Sequence, residues 1–146
     1  MNIISTTNIQ QAINQIKKSV TKPIIIKAQD EKFNRRILEY GKFDVILDIH
    51  ETQGRDKLKQ VDSGLNHVLA KIAAKNKIAI GIDLDKIRKL EKKEKALVLG
   101  RIMQNIRICR KAKTRIKLIN YRDEKDAFDF LISLGASTEQ AREALS

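Results

Sequence analysis

Residues 62–82 read DSGLNHVLAKIAAKNKIAIGI, and two periodicities meet inside that stretch. Leu65, Val68, Leu69, Ile72 and Ala73 recur at the i, i+3, i+4, i+7, i+8 spacing that lines one face of an α-helix. Asp62 or Ser63 stands where a side-chain oxygen can cap the orphan N–H groups of the first turn. His67, Lys71 and Lys75 repeat every four residues on a different face, which points to solvent. Directly after this helix, expected over 63–76, residues 77–82 form a short β-branched run of strand character. A helix feeding at once into a buried strand is the repeating step of an α/β fold.

The same alternation runs outward in both directions. Strands are expected at 2–5, 23–27, 43–48, 77–82 and 115–120, with helices at 9–19, 30–40, 63–76 and 86–113. The last of these helices is expected to break near Lys92 to Glu94, and two short helices close the chain. Pro23 stands at a strand start, where its missing N–H costs nothing, and Gly41 ends the second helix. Ser137 followed by Gln140 fits a capping box for the final helix. Helices between successive strands predict a parallel sheet, either doubly wound and open or an arc of a barrel. A length of 146 residues suits one domain over 1–146, whereas a complete (β/α)8 barrel takes about 250 residues. An exposed sheet edge is then expected to be covered by a second copy or another subunit.

Charge narrows the function. The net charge is +12, and residues 86–117 carry 13 Lys or Arg against only Glu91 and Glu94. Residues 118–146 reverse the sign, with three basic and six acidic side chains. A concentrated positive field favours a polyanion, because neutralised phosphates release their condensed counterions. In the middle of the basic stretch Val98, Ile102, Ile106 and Cys109 face inward at helical spacing, while Arg107, Arg110 and Lys111 lie within one turn on the outside. The apolar runs are far shorter than the roughly 20 residues that cross a bilayer. With no secretory leader pattern, an intracellular, cytoplasmic chain without membrane partners is expected.

Enzyme chemistry has little to stand on. The chain has two histidines, His50 and His67, and no closely spaced pair to hold a metal ion. It has neither of the glycine-loop motifs that cradle nucleotide phosphates. Asp48, His50, Glu51 and Asp83 or Asp85 could converge at the C-terminal ends of adjacent strands, where α/β proteins build their sites. Asp48, His50 and Asp83 are therefore the candidates for an alternative function, a metal-dependent phosphoesterase of the polymerase-and-histidinol-phosphatase barrel type. A generic nucleic-acid-binding module is a further alternative. No Trp, two Tyr and four Phe make a poor platform for stacking single-stranded bases, which favours binding through RNA charge and shape. Cys109 is expected to be an inert core thiol.

Residues 61–76, VDSGLNHVLAKIAAKN, closely resemble the segment that marks protein component 3 of archaeal ribonuclease P, counterpart of a eukaryotic thirty-kilodalton subunit. Residues 30–35 (DEKFNR) and 43–47 (FDVIL) look like that family's Asn-Arg helix and the strand that follows it. Residues 101–107 (RIMQNIR), 109–111 (CRK) and 141–146 (AREALS) resemble its long basic helix and its ending. The similarity runs from about residue 22 to the C-terminus. It implies a TIM-barrel-like fold, here a partial one shorter by on the order of two N-terminal βα units. Small turns also differ, with Ala28-Gln29 in place of a Gly-rich turn and an abbreviated Asn120-Tyr121 loop.

The resemblance further implies an accessory RNA-binding subunit, non-catalytic itself, of the ribonucleoprotein that removes 5′ leaders from precursor tRNA. Its implied partners are the catalytic RNA, precursor tRNA and a small α+β protein subunit, with self-association of the chain as a further expectation. Mg2+ is expected on the RNA and no cofactor or metal on the protein. Arg35, Arg55, His67, Lys71, Lys75, Arg101, Arg107, Arg110 and Lys111 are the candidates for RNA or partner contact.

Overall fold

A computed structural model describes residues 2–51 and 63–146. Its strands are β1 (Asn2–Ile4), β2 (Ile24–Lys27), β3 (Val45–Leu47), β4 (Ala79–Asp83) and β5 (Ile116–Ile119), each within two residues of its expected ends. They form one sheet in the order β1-β2-β3-β4-β5, and every neighbouring pair is parallel. Helices α1 (Ile9–Lys18), α2 (Glu31–Tyr40), α3 (His67–Lys75), α4 (Leu84–Arg88) and α5 (Lys92–Ala112) fill the crossovers, and α6 (Glu124–Ser133) and α7 (Thr138–Leu145) follow β5. No helix among the described residues is long and apolar enough to cross a membrane.

Sequential order has a geometric consequence. A connection between neighbouring parallel strands is right-handed by general rule, so crossovers that each advance one strand in the same direction deliver their helices to the same face of the sheet. Ile24 and Ile26 of β2, Ile46 of β3, Ile80 and Ile82 of β4, and Ile116 and Leu118 of β5 join the large core beneath that helical layer. The alternate residues form a separate small cluster of Ile25, Val45, Leu47, Ala79 and Ile119 on the other face. That division is the pattern of a barrel arc, and it rules out the doubly wound alternative.

The concave face is tight. A Cβ added at Gly81 would stand 2.6 Å from Val45 Cγ1 and 3.2 Å from Leu47 Cδ1, so glycine is required by the neighbouring strand's side chains. At the other end of the chain α7 packs on β5. Its Ser137–Gln140 capping box forms as expected, and Tyr121 Oη donates to the Leu145 carbonyl at 3.0 Å. Gly41 closes α2 at φ 70°, also as expected.

Three local expectations need correction. The cap of α3 is Asn66, whose Oδ1 accepts from Leu69 N at 2.9 Å. Ser63 instead donates to the Leu65 carbonyl, and Asp62 lies outside the described residues. Val68 is 54% exposed and Ala70 is fully buried, so the packed stripe of α3 is Leu69, Ala70 and Ala73, with Ile72 half-buried beside it. The basic helix breaks at 89–91, just before the expected place, because Asp83 starts and caps a separate short helix, α4.

Gly81→Ala is expected to lower stability by about 1–3 kcal/mol, the usual cost of overpacking a filled core. Val45→Ala in the same chain should recover part of the loss by vacating the space the new methyl needs. Urea unfolding of the single and double variants checks both statements.

Candidate nucleic-acid interface

The polar residues that the sequence brings to the C-terminal ends of the strands do meet there, but with lysines among them. Asp48 follows β3 at φ 60°, and it is 2% exposed. Lys27, the last residue of β2, donates to Asp48 Oδ2 at 2.9 Å and to Glu51 Oε2 at 2.5 Å. Lys86 of α4 reaches the same Glu51 oxygen at 2.8 Å and lies 3.6 Å from Asp48 Oδ2. Two cations therefore neutralise two carboxylates above the strand ends. A cavity of about 430 Å3 opens beside them, lined by Thr7, Lys27, Gln29, Asp30, Glu51 and Lys86.

This arrangement is a poor ligand set for a catalytic metal. Asp83 is committed elsewhere, with its Oδ1 accepting from Lys86 N at the start of α4 and from Asn120 Nδ2. His50 is buried, its Nε2 3.9 Å from Asp48 Oδ1. Among the described residues no three His, Cys, Asp or Glu side chains converge on a common point. Burial alone would raise the Glu51 carboxyl, but hydrogen bonds from Lys27 and Lys86 outweigh it and hold the group below its ordinary value. Burial also disfavours charge on Lys27, yet its bonds to Glu51 and Asp48 win and raise its pKa. His50 is lowered by burial, which outweighs the attraction of Asp48 and Glu51. Cys109 is fully buried, and burial pushes its thiol up to about 12, so it stays protonated and unreactive.

Most of the other described candidates lie on the outer surface of the helical layer. Arg35 is exposed on α2 and paired with Glu39 at 2.9 Å, one turn along. His67, Lys71 and Lys75 are exposed on α3, as their spacing requires. Helix α2 packs on α3 and α3 packs on α5, so these residues share a continuous layer with the basic helix. Arg55 lies outside the described residues. On α5, Ile102, Ile106 and Cys109 are buried, Val98 packs half-buried against the core, and Arg101 is half-buried. Arg107, Arg110 and Lys111 are exposed.

Arg110 has a second role that spacing could not reveal. Its Nε donates to Gln140 Oε1 at 3.1 Å and its terminal nitrogen to the Gly135 carbonyl, which fastens α5 to the start of α7. Among the described residues no carboxylate lies within ion-pair distance of Lys92, Lys93, Arg107, Lys111 or Lys113. Sequence reasoning singles out Arg101, Arg107, Arg110 and Lys111 and passes over Lys92, Lys93 and Lys113. They belong to the same 86–117 charge run, and membership of that run was the available signal.

The aromatic side chains are all spent on the fold. Phe33 and Phe43 are buried, and Tyr40, Tyr121, Phe128 and Phe130 pack half-buried against the core. What remains for a ligand is charge on a rigid helix, a surface suited to phosphates.

The ion-pair cluster sets a pH dependence. A buried His50 with a lowered pKa stays neutral when the unfolded chain takes up a proton, so stability falls as pH drops below about 6.5. Glu51, also lowered, adds a second loss as pH falls through and below about 4.5. Acidification from pH 7 should therefore destabilise in two stages, and His50→Asn should remove the first while leaving the second. Unfolding free energy measured against pH for both proteins tests the sign and the assignment.

No family model matches the chain. It is 26% identical over 115 residues to ribonuclease P protein component 3 of Methanococcus maripaludis, covering 77% of this chain and 47% of the relative. It is 29% identical over 113 residues to the protein of the same name from Methanococcus vannielii, with 75% and 46% covered. In three dimensions it matches a chain in the cryo-electron-microscopy structure of archaeal ribonuclease P with mature tRNA. That match has a TM-score of 0.78 at 22% identity and covers 97% of this chain and 62% of the other, which establishes the fold. The resemblance carried by residues 61–76 thus extends over 77% of the chain, which is similar to ribonuclease P protein component 3 and spans about half the length of those relatives.

Proposed function

We propose that this chain is an accessory RNA-binding subunit of ribonuclease P, assisting removal of 5′ leaders from precursor tRNA without performing the chemistry. The observation that carries the proposal is the exposed face of α5, on which Lys92, Lys93, Arg107 and Lys111 have no carboxylate within ion-pair distance among the described residues. The named relatives supply the holoenzyme, and the charge supplies the reason for RNA. A helix of 21 residues is about 30 Å long, enough to follow several phosphates of a folded RNA. Each phosphate neutralised by Lys or Arg releases counterions, so affinity comes from a rigid row of cations without base-specific contacts. The half-buried aromatics leave little surface for base stacking, which favours recognition of RNA by shape and charge.

In this assignment the protein holds no metal and Mg2+ acts on the catalytic RNA. The Lys27–Asp48–Glu51–Lys86 cluster is structural, stabilising the strand ends where an enzyme of this architecture would place its ligands. The small α+β protein subunit remains the proposed protein partner and the cytoplasm the proposed site of action.

Reconstitution is the direct test. Cleavage of precursor tRNA by the cognate RNA and remaining subunits should be stimulated by adding this chain, while the chain alone should hydrolyse no phosphodiester with Mg2+, Mn2+ or Zn2+. Metal-dependent cleavage by the pure chain, lost in Asp48→Ala or His50→Ala, would instead establish the phosphoesterase.

The charge argument has its own test in Arg107→Gln with Lys111→Gln. Both side chains are exposed and neither is tied to α7, so unfolding free energy should stay within about 0.5 kcal/mol of the parent. RNA affinity should fall, and the plot of log affinity against log salt should flatten by about 0.7–0.9 for each phosphate that is no longer neutralised. An unchanged salt slope would show that these two cations are solvated bystanders.

A further inference from the structure

Of the glycines in the described residues, Gly41, Gly64 and Gly135 have positive φ, and Gly81 is required by the packing of β3. Gly100 has neither reason. It lies in the interior of α5, and an added Cβ would meet no atom within 4 Å. Glycine in the interior of a helix is less favourable than alanine, so this position gives up helix stability with no return inside the chain.

The surroundings indicate what lies outside. Lys93, Ala96, Gly100, Met103, Arg107 and Lys111 succeed one another at helical i, i+3, i+4 spacing along one side of α5. All but Gly100 are exposed, and Gly100 itself is partly accessible. Lys93 and Arg107 stand seven residues to either side of it, roughly 10 Å away along the axis in each direction. The only acids within the 86–117 segment, Glu91 and Glu94, lie toward the beginning of the helix. A surface with bare backbone at its centre and cations at both ends is complementary to an anionic chain that touches the helix in the middle.

We propose that Gly100 is the point at which the sugar–phosphate backbone of an RNA strand running along α5 comes closest to the helix, with Lys93 on one side and Arg107 and Lys111 on the other each holding a phosphate. The proposal rests on the RNA-binding reading above and adds to it a place and a steric requirement. The absence of a side chain lets the strand approach nearer the helix axis than any other residue would allow. Cation-to-phosphate distances on both flanks shorten together as a result.

Two effects of opposite sign follow. Gly100→Ala and Gly100→Leu should raise the thermal unfolding midpoint or leave it unchanged, because both residues favour a helix and an added Cβ meets nothing. Binding to the transcribed cognate ribonuclease P RNA should nevertheless weaken, by on the order of fivefold for alanine and more than tenfold for leucine, as expected when rigid close approach is obstructed.

The full-length chain and each variant, with Arg107→Gln/Lys111→Gln as a reference, can be compared by filter binding at one salt concentration. If both Gly100 variants bind as the parent does while the reference loses affinity, the point of closest approach is wrong and the RNA-binding reading stands. If the reference also binds normally, both are wrong. Should the Gly100 variants keep RNA affinity but no longer associate with the small α+β subunit, the face is a protein interface and the RNA assignment is overturned.

Discussion

Five parallel strands in sequential order constrain everything else in this protein. Because each crossover moves one strand along in the same direction, and such crossovers are right-handed by general rule, the crossover helices accumulate on one side and the sheet keeps two unlike faces. The helical side takes most of the apolar residues. The concave side is left with five small or branched hydrophobic residues, and it closes only because Gly81 yields its space to Val45 and Leu47. Polar chemistry then has two places to go, the C-terminal ends of the strands and the outer surface of the helices.

The chain treats its cations differently in those two places. At the strand ends Lys27 and Lys86 bridge Asp48 and Glu51 into an internal lock of ion pairs. Removing one member of such a partly buried group leaves the others uncompensated, which gives the cluster a structural role whatever it contributes in net energy. On α5, Lys92, Lys93, Arg107 and Lys111 have no carboxylate within ion-pair distance among the described residues. A positive charge with no internal partner contributes little to folding. In the proposed function, its concentration on one rigid helix serves an external anion.

Much of this was legible in the sequence, and the failures have physical causes. Strand positions were clear because short β-branched runs alternated with helical periodicity, and the break before α5 was visible within a few residues. The orientation of α3 was misjudged at Val68 because periodicity does not distinguish a sheet-facing stripe from one rotated by a residue. Ala70 is fully buried while Val68 projects outward. The cap at Asn66 was missed because Asp62 and Ser63 are equally good cap formers by type. The fate of Asp48 was illegible in principle. Its partners are 21 and 38 residues away in sequence, and only the strand order brings them together. Arg110 looked like a member of an outward stripe because its hydrogen bonds go to Gly135 and Gln140, on a segment whose docking no local pattern encodes.

That docking also bounds the proposed RNA surface. Gln140 donates to the Ile106 carbonyl and accepts from Arg110, so the start of α7 is held against the last third of α5. With it comes the acidic end of the chain, where Asp123, Glu124, Asp126, Asp129, Glu139 and Glu143 are all exposed. A phosphate backbone passing along α5 would be repelled on that flank and attracted on the side of α3, which packs against α5 and exposes Lys71 and Lys75. The opposite net charges of residues 86–117 and 118–146 therefore do more than mark two segments. Folded together, they set Glu139 and Glu143 in one cleft with Arg110 and Lys113, so the proposed RNA path along α5 has an acidic boundary at the α7 side of its end.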